Sequence, residues 1–133
     1  MSLFNLNILQ IPFIWVIIKS MEIITKSLSL EELKQMAAST FGDLVKAVVD
    51  VDREILAVDA ELHSDLEALL LDNGSKQKAL WGINLYPEIE EGDFVEFDSL
   101  INMRPSQNNM SRGVEAEEVR KRIIEIVIKR IKR

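Results

Sequence analysis

Two aliphatic runs, residues 44–51 and 54–61, are separated only by Asp52-Arg53. Strands joined by so short a link must lie antiparallel, because a parallel return needs a crossover of a dozen residues or more. The first run is rich in valine. The second alternates, with Leu56, Val58 and Ala60 toward one face and Ile55, Ala57, Asp59 and Glu61 toward the other. Further strand-like runs cover residues 66–71, 80–86 and 94–103, and Glu-Ile-Ile-Thr-Lys after Met21 reads as a first strand. The connections stay short, so the spacing predicts an antiparallel meander. Asn73-Gly74, Pro87 and Gly92 supply turns.

Two helices complete the pattern. Ser29-Leu30-Glu31-Glu32 is a capping box, in which a serine hydroxyl accepts the amide three residues on and a glutamate reaches back. Leu30, Leu33, Met36, Ala37 and Phe41 give that helix an apolar face, and Gly42 supplies a stop. The second helix is expected over residues 114–132, acidic at its start and basic at its end as the helix dipole favours. Val119, Ile123, Ile126, Val127 and Ile131 would face the sheet. Ile124 and Ile128 widen the stripe beyond what one sheet face needs, which predicts a homo-oligomer. The expected fold is α+β: a mainly antiparallel five- to six-stranded sheet with two helices packed on one face.

Composition narrows the function. With 47% hydrophobic and 29% charged residues, the chain of 133 residues can bury one core. It has no cysteine, which removes thiolate chemistry, disulfides and a Cys-ligated zinc. The net charge is −6 overall, but residues 115–133 carry seven cations against four glutamates, a net of +3 that leaves −9 elsewhere. That basic stretch contains no interleaved aromatic residue on which a base could stack, so nucleic acid is not the expected partner. Residues 1–20 hold one charge, Lys19, and an eight-residue apolar run, residues 11–18, with Pro12 inside it. A membrane span needs about 20 apolar residues, so no span is expected, and a cytoplasmic protein is. Three readings of residues 1–20 stay open: an extension upstream of a native start at Met21, an added edge strand, or a hydrophobic arm for a partner. Residues 21–133 are expected to form the single domain.

Three groups of residues could carry chemistry. Between the last strand and the last helix, Arg104, Ser106, Gln107, Asn109, Ser111 and Arg112 crowd one loop. Two planar guanidinium forks beside amides and hydroxyls suit a phosphate or carboxylate. The same residues could instead cap the helix, with Arg104 paired to Asp98 or Glu96. Second, Glu61, His63, Asp65 and Glu67 would share one side of an extended strand, as a hard-metal site or as a histidine base held by Glu61 or Asp65. His63 is the only histidine in the chain, and no paired ligand spacing accompanies it, so no metal is expected. Third, Asn84 and Asn102 interrupt apolar strands, where an amide must find partners: each other, loop backbone, or a ligand in a shared pocket. No phosphate-binding glycine loop, GxSxG, HExxH or dinucleotide fingerprint occurs, and no cofactor is expected.

The segments ELHSDLEALLLDNGSKQKALWGINLYPE and INMRPSQNNMSRGVE resemble a small family of uncharacterised prokaryotic proteins. The resemblance covers Met21 to the C-terminus and implies one complete domain there. It implies no activity. The leading expectation is therefore a small domain that binds an anionic or polar ligand at the Arg104–Arg112 loop. The alternatives are a small hydrolase-like enzyme using His63 with Glu61 or Asp65, and a protein-interaction or regulatory module using the last helix.

Overall fold

The computed structural model describes residues 21–133, so the readings of residues 1–20 lie outside the described residues. In chain order the elements are β1 (Glu22–Ile24), β2 (Leu28–Ser29), α1 (Leu30–Ser39), β3 (Val45–Asp50), β4 (Ile55–Val58), α2 (His63–Asp72), β5 (Leu80–Leu85), β6 (Val95–Glu96), α3 (Glu117–Arg130) and β7 (Ile131–Lys132). The fold is α+β. Five strands form one sheet in the order β1-β4-β3-β5-β6 with every neighbour antiparallel, and β2 pairs with β7 in a small parallel ladder.

The expected β3–β4 hairpin forms, and a buried carboxylate holds its turn. Asp50 Oδ1 accepts the amides of Asp52 and Arg53, both at 2.9 Å, and Oδ2 accepts the Ser75 hydroxyl at 2.6 Å. The turn ends at Glu54 with φ +57°. There Glu54 gathers the cations of α3: its carboxylate accepts from Arg122 at 2.9 Å and Lys129 at 2.8 Å, and its carbonyl accepts from Arg130 at 2.8 Å. Hydrogen bonds and charge from Lys129 and Arg122 hold the Glu54 carboxyl at a pKa of about 2. Much of the C-terminal basic cluster is thus spent on fastening α3 to the hairpin.

Side-chain alternation builds a core on each face of the sheet. Val45, Ala47 and Val49 of β3, Leu56 and Val58 of β4, and Trp81, Ile83 and Leu85 of β5 meet Leu33 and Ala37 of α1 and Ile123, Ile126 and Val127 of α3. The two helices expected from the sequence do pack on this face. The capping box at Ser29 and Glu32 is formed, and the Gly42 amide bonds Ala37 O at 2.6 Å. Ile124 is half-buried, whereas Ile128 stays 68% exposed.

A third helix corrects the meander. Residues 66–71, expected as a strand, belong to α2, which carries the chain from β4 over β3 to β5. A short apolar run has no decisive period by itself. Here His63, Leu66 and Leu70 fall at helical spacing and are buried, the two leucines against Val48, Ile55, Ala57 and Leu80. Full burial of such a leucine contributes about 1.5–3 kcal/mol, enough to decide the period. Asn73-Gly74 then ends the helix instead of making a hairpin, with the Ser75 amide returning to Leu70 O at 2.9 Å.

The expected strand over residues 94–103 is also shorter than its pattern suggests. Only Val95–Glu96 pairs with β5 before the chain lifts into a 3-10 turn at Leu100–Asn102. Gly82 permits this crossing, since a Cβ at that position would lie 2.5 Å from Ser99 Cβ. Among the described residues no helix is long and apolar enough to cross a membrane.

Candidate functional site

On the α2 face, strand register sets Lys46, Asn84 and Glu96 side by side across β3, β5 and β6. The N-terminus of α2 stops beside this row, and His63 anchors there with Nε2 at 2.7 Å from Ile83 O. A carbonyl oxygen can only accept, so Nε2 carries the proton and, in the neutral ring, Nδ1 carries the lone pair. From the other side, the loop after β6 brings Asp98 and Arg112, whose Nε donates to Asp98 Oδ1 at 2.7 Å. These elements enclose a cleft of about 220 Å³. Lys46, His63, Ser64, Ser99 and Arg112 supply its polar lining, and Leu62, Leu100 and Ile101 an apolar side.

The charges in the cleft are only partly neutralised. Lys46 has no ion-pair partner among the described residues; its amine lies 5.3 Å over the Phe41 ring. Among the described residues the Arg112 guanidinium hydrogen-bonds only through Nε. Burial pushes the His63 pKa below 6.5, opposed by the bond to Ile83 O and reinforced by Lys46. The ring is therefore neutral at pH 7. As pH falls below 6.5 the unfolded chain takes up this proton first, so His63 lowers fold stability on the acid side.

The loop arginines face different partners. Arg104 donates from Nη1 to Gln77 O at 2.5 Å and from Nη2 to Leu80 O, and it stacks 4.2 Å over the Trp81 ring. It clamps the start of β5, while Arg112 faces Asp98 and the cleft. Between them residues 104 and 109 pair as a miniature hairpin, closed by Asn108 at φ +59°. Asn109 is its hub: Nδ2 donates to Asn102 O, Ser111 O and Gly113 O, and Oδ1 accepts the Glu115 amide. Gln107 Nε2 donates to Lys78 O, the Ser111 hydroxyl accepts the Gly113 amide, and Ser106 is exposed.

Asn102 is fully buried and stands in for a missing strand. Its Oδ1 accepts Gly82 N–H at 2.8 Å, and its Nδ2 donates to Gly82 O and to Arg112 O, both at 2.9 Å. The two asparagines do not pair with each other: Asn84 Nδ2 donates to Glu96 Oε1 at 2.8 Å, leaving its buried Oδ1 without a partner.

Glu61 and Asp65 are exposed, and neither hydrogen-bonds His63. Two residues along a helix turn about 200°, so the strand alternation that would have aligned His63 with Asp65 does not operate. Among the described residues no three His, Asp or Glu side chains gather as metal ligands. Sequence reasoning missed Lys46, Ser64 and Ser99. A signal existed for one of them, because Lys46 is a lone cation inside a valine-rich strand.

At the end of β4, Asp59 is 8% exposed with φ +75°, and its Oδ1 has no partner. Burial, followed by the charge of Glu22, raises its pKa from 3.8 to about 6. The folded chain therefore holds this proton more tightly, and stability is lost as pH rises from 3.8 through about 6. Asp59→Asn, which also tolerates positive φ, is expected to stabilise the fold at pH 7 by about 1–2 kcal/mol. Urea titrations at two pH values check this, and the gain should vanish at pH 4. An equal gain at both would rule out ionisation as its cause.

Residues 22–130 match the model of a family described as "Protein of unknown function (DUF5674)". No curated protein and no solved structure matches the chain.

Proposed function

The chain belongs to this family of proteins of unknown function, DUF5674, and for it we propose binding of a small anionic ligand in the cleft between the α2 N-terminus and the loop that carries Arg112. One observation carries the reading: Lys46 and Arg112, whose Nη atoms make no hydrogen bond among the described residues, border the same 220 Å³ space as His63, Ser64 and Ser99. Charge-assisted bonds from such donors are about twice as strong as neutral ones. In this reading Asn102, Asn109, Gln107 and Arg104 hold the loop in shape, and Arg112 alone of the two arginines meets the ligand. Ser106, Ser111 and Asn84, expected among the ligand's partners, are not in the lining of the cleft.

A thermal-shift panel of dicarboxylates, phosphorylated metabolites and inorganic phosphate tests the proposal. A binding compound should raise Tm, and Lys46→Ala or Arg112→Gln should weaken that ligand by about tenfold or more. Undiminished binding in both variants would place the ligand elsewhere.

His63 supports a second reading, a hydrolase-like enzyme. Its ring is neutral and fixed by Ile83 O, with Nδ1 available as a base. In that case the main-chain carbonyl, and not Glu61 or Asp65, would orient the imidazole.

A further inference from the structure

We propose that the ligand of this cleft is a short aliphatic 2-hydroxycarboxylate, held by Lys46 and Arg112 through its carboxylate, by His63 through its hydroxyl and by Leu62 and Leu100 through its hydrocarbon tail. This inference rests on the anion-binding reading above. Three features of the cleft select this chemistry.

The first is charge. Lys46 and Arg112 bring two positive charges to the lining, the ion pair of Arg112 with Asp98, which lies outside the lining, offsets one of them, and His63 is neutral, so the site carries a net +1. A monoanion balances it. A phosphate dianion would exceed that charge by one, and an amino acid, zwitterionic at pH 7, would leave it unbalanced.

The second is His63 itself. Its side chain is 7% exposed and borders the cleft, and Nε2 is spent on Ile83 O. Nδ1 makes no hydrogen bond among the described residues. A neutral imidazole nitrogen of this kind accepts and does not donate, so the matching ligand needs an O–H beside its anionic group. A simple carboxylate would leave that nitrogen unpaired.

The third is the apolar side. Leu62 is 56% and Leu100 68% exposed, both at the cleft, with Ile101 behind them. A polar metabolite would gain nothing from these side chains, whereas a branched aliphatic tail would cover them. The cleft of about 220 Å³ has room for a small acid with such a tail.

Calorimetric titration of the full chain with 2-hydroxy-4-methylpentanoate, 4-methylpentanoate and inorganic phosphate tests the assignment. The hydroxy acid is expected to bind on the order of tenfold more tightly than the acid lacking the hydroxyl, because a site built around a hydrogen bond rejects the analogue without it. Leu100→Ser, at an exposed position that does not endanger folding, should weaken the hydroxy acid several-fold and leave any phosphate binding unchanged. Equal binding of the two acids, or tighter binding of phosphate, would overturn the hydroxy-acid assignment while leaving the anion site intact. Absence of binding by all three, or binding insensitive to both Lys46→Ala and Arg112→Gln, would overturn both.

Discussion

Asn102→Ala is expected to lower stability by about 3–4 kcal/mol, since it strands several buried backbone groups at once. For a domain of this size that corresponds to a fall in Tm of about 12 °C or more. The side-chain amide of Asn102 completes both backbone bonds of Gly82 where β6 has already left the sheet, and it also binds Arg112 O. Alanine removes all three bonds and leaves a cavity in a fully buried position. Urea denaturation followed by circular dichroism gives the number, and a loss below about 1 kcal/mol would mean that water replaces the amide and that the strand-surrogate role is wrong. The same substitution frees the backbone behind Arg112, so any ligand held in the cleft should weaken as well.

Gly82→Ala should be nearly as damaging, costing about 2–4 kcal/mol by overpacking. The added methyl would lie 2.5 Å from Ser99 Cβ and 2.6 Å from Ser99 Oγ, both part of a backbone crossing that cannot back away without breaking the Asn102 bonds. The cause can be isolated with a double-mutant cycle. Ser99→Gly deletes the opposing atoms, so Gly82→Ala should cost much less in that background. If the cost were the same in both, the damage would lie in the strand backbone and not in the contact with Ser99.

Much of this arrangement is legible in the sequence. The capping box at Ser29, the hairpin around Asp52-Arg53 and the alternation of Leu56 and Val58 against Ile55 and Ala57 are local patterns, and each formed where the pattern put it, whereas Ala60, expected beside Leu56 and Val58, joins the opposite face. Local patterns failed where a run had no period of its own. Residues 66–71 became helix because Leu66 and Leu70 found Val48 and Leu80, which lie elsewhere in the chain. Residues 97–103 left the sheet because Gly82 gave them room.

The loop of residues 104–113 shows the same division. Its donors were visible in the sequence, but their acceptors were not. The Nη atoms of Arg104 went to Gln77 O and Leu80 O, with its Nε buried and unpartnered, and Asn109 bonded carbonyls within its own loop. Arg112 alone kept free donors facing the cleft. Lys46 and Ser64, from separate elements, joined it there.

The sequence by itself determined the α+β class, the antiparallel pairing and the start of α1, because capping, turn length and alternation act over a few residues; Phe41, expected on that helix, lies beyond its end at Ser39 and is exposed. The tertiary structure decided the third helix, the early end of β6 and the membership of the cleft. Those depend on which distant groups reach each unsatisfied amide, carbonyl or charge once the two faces of the sheet are covered.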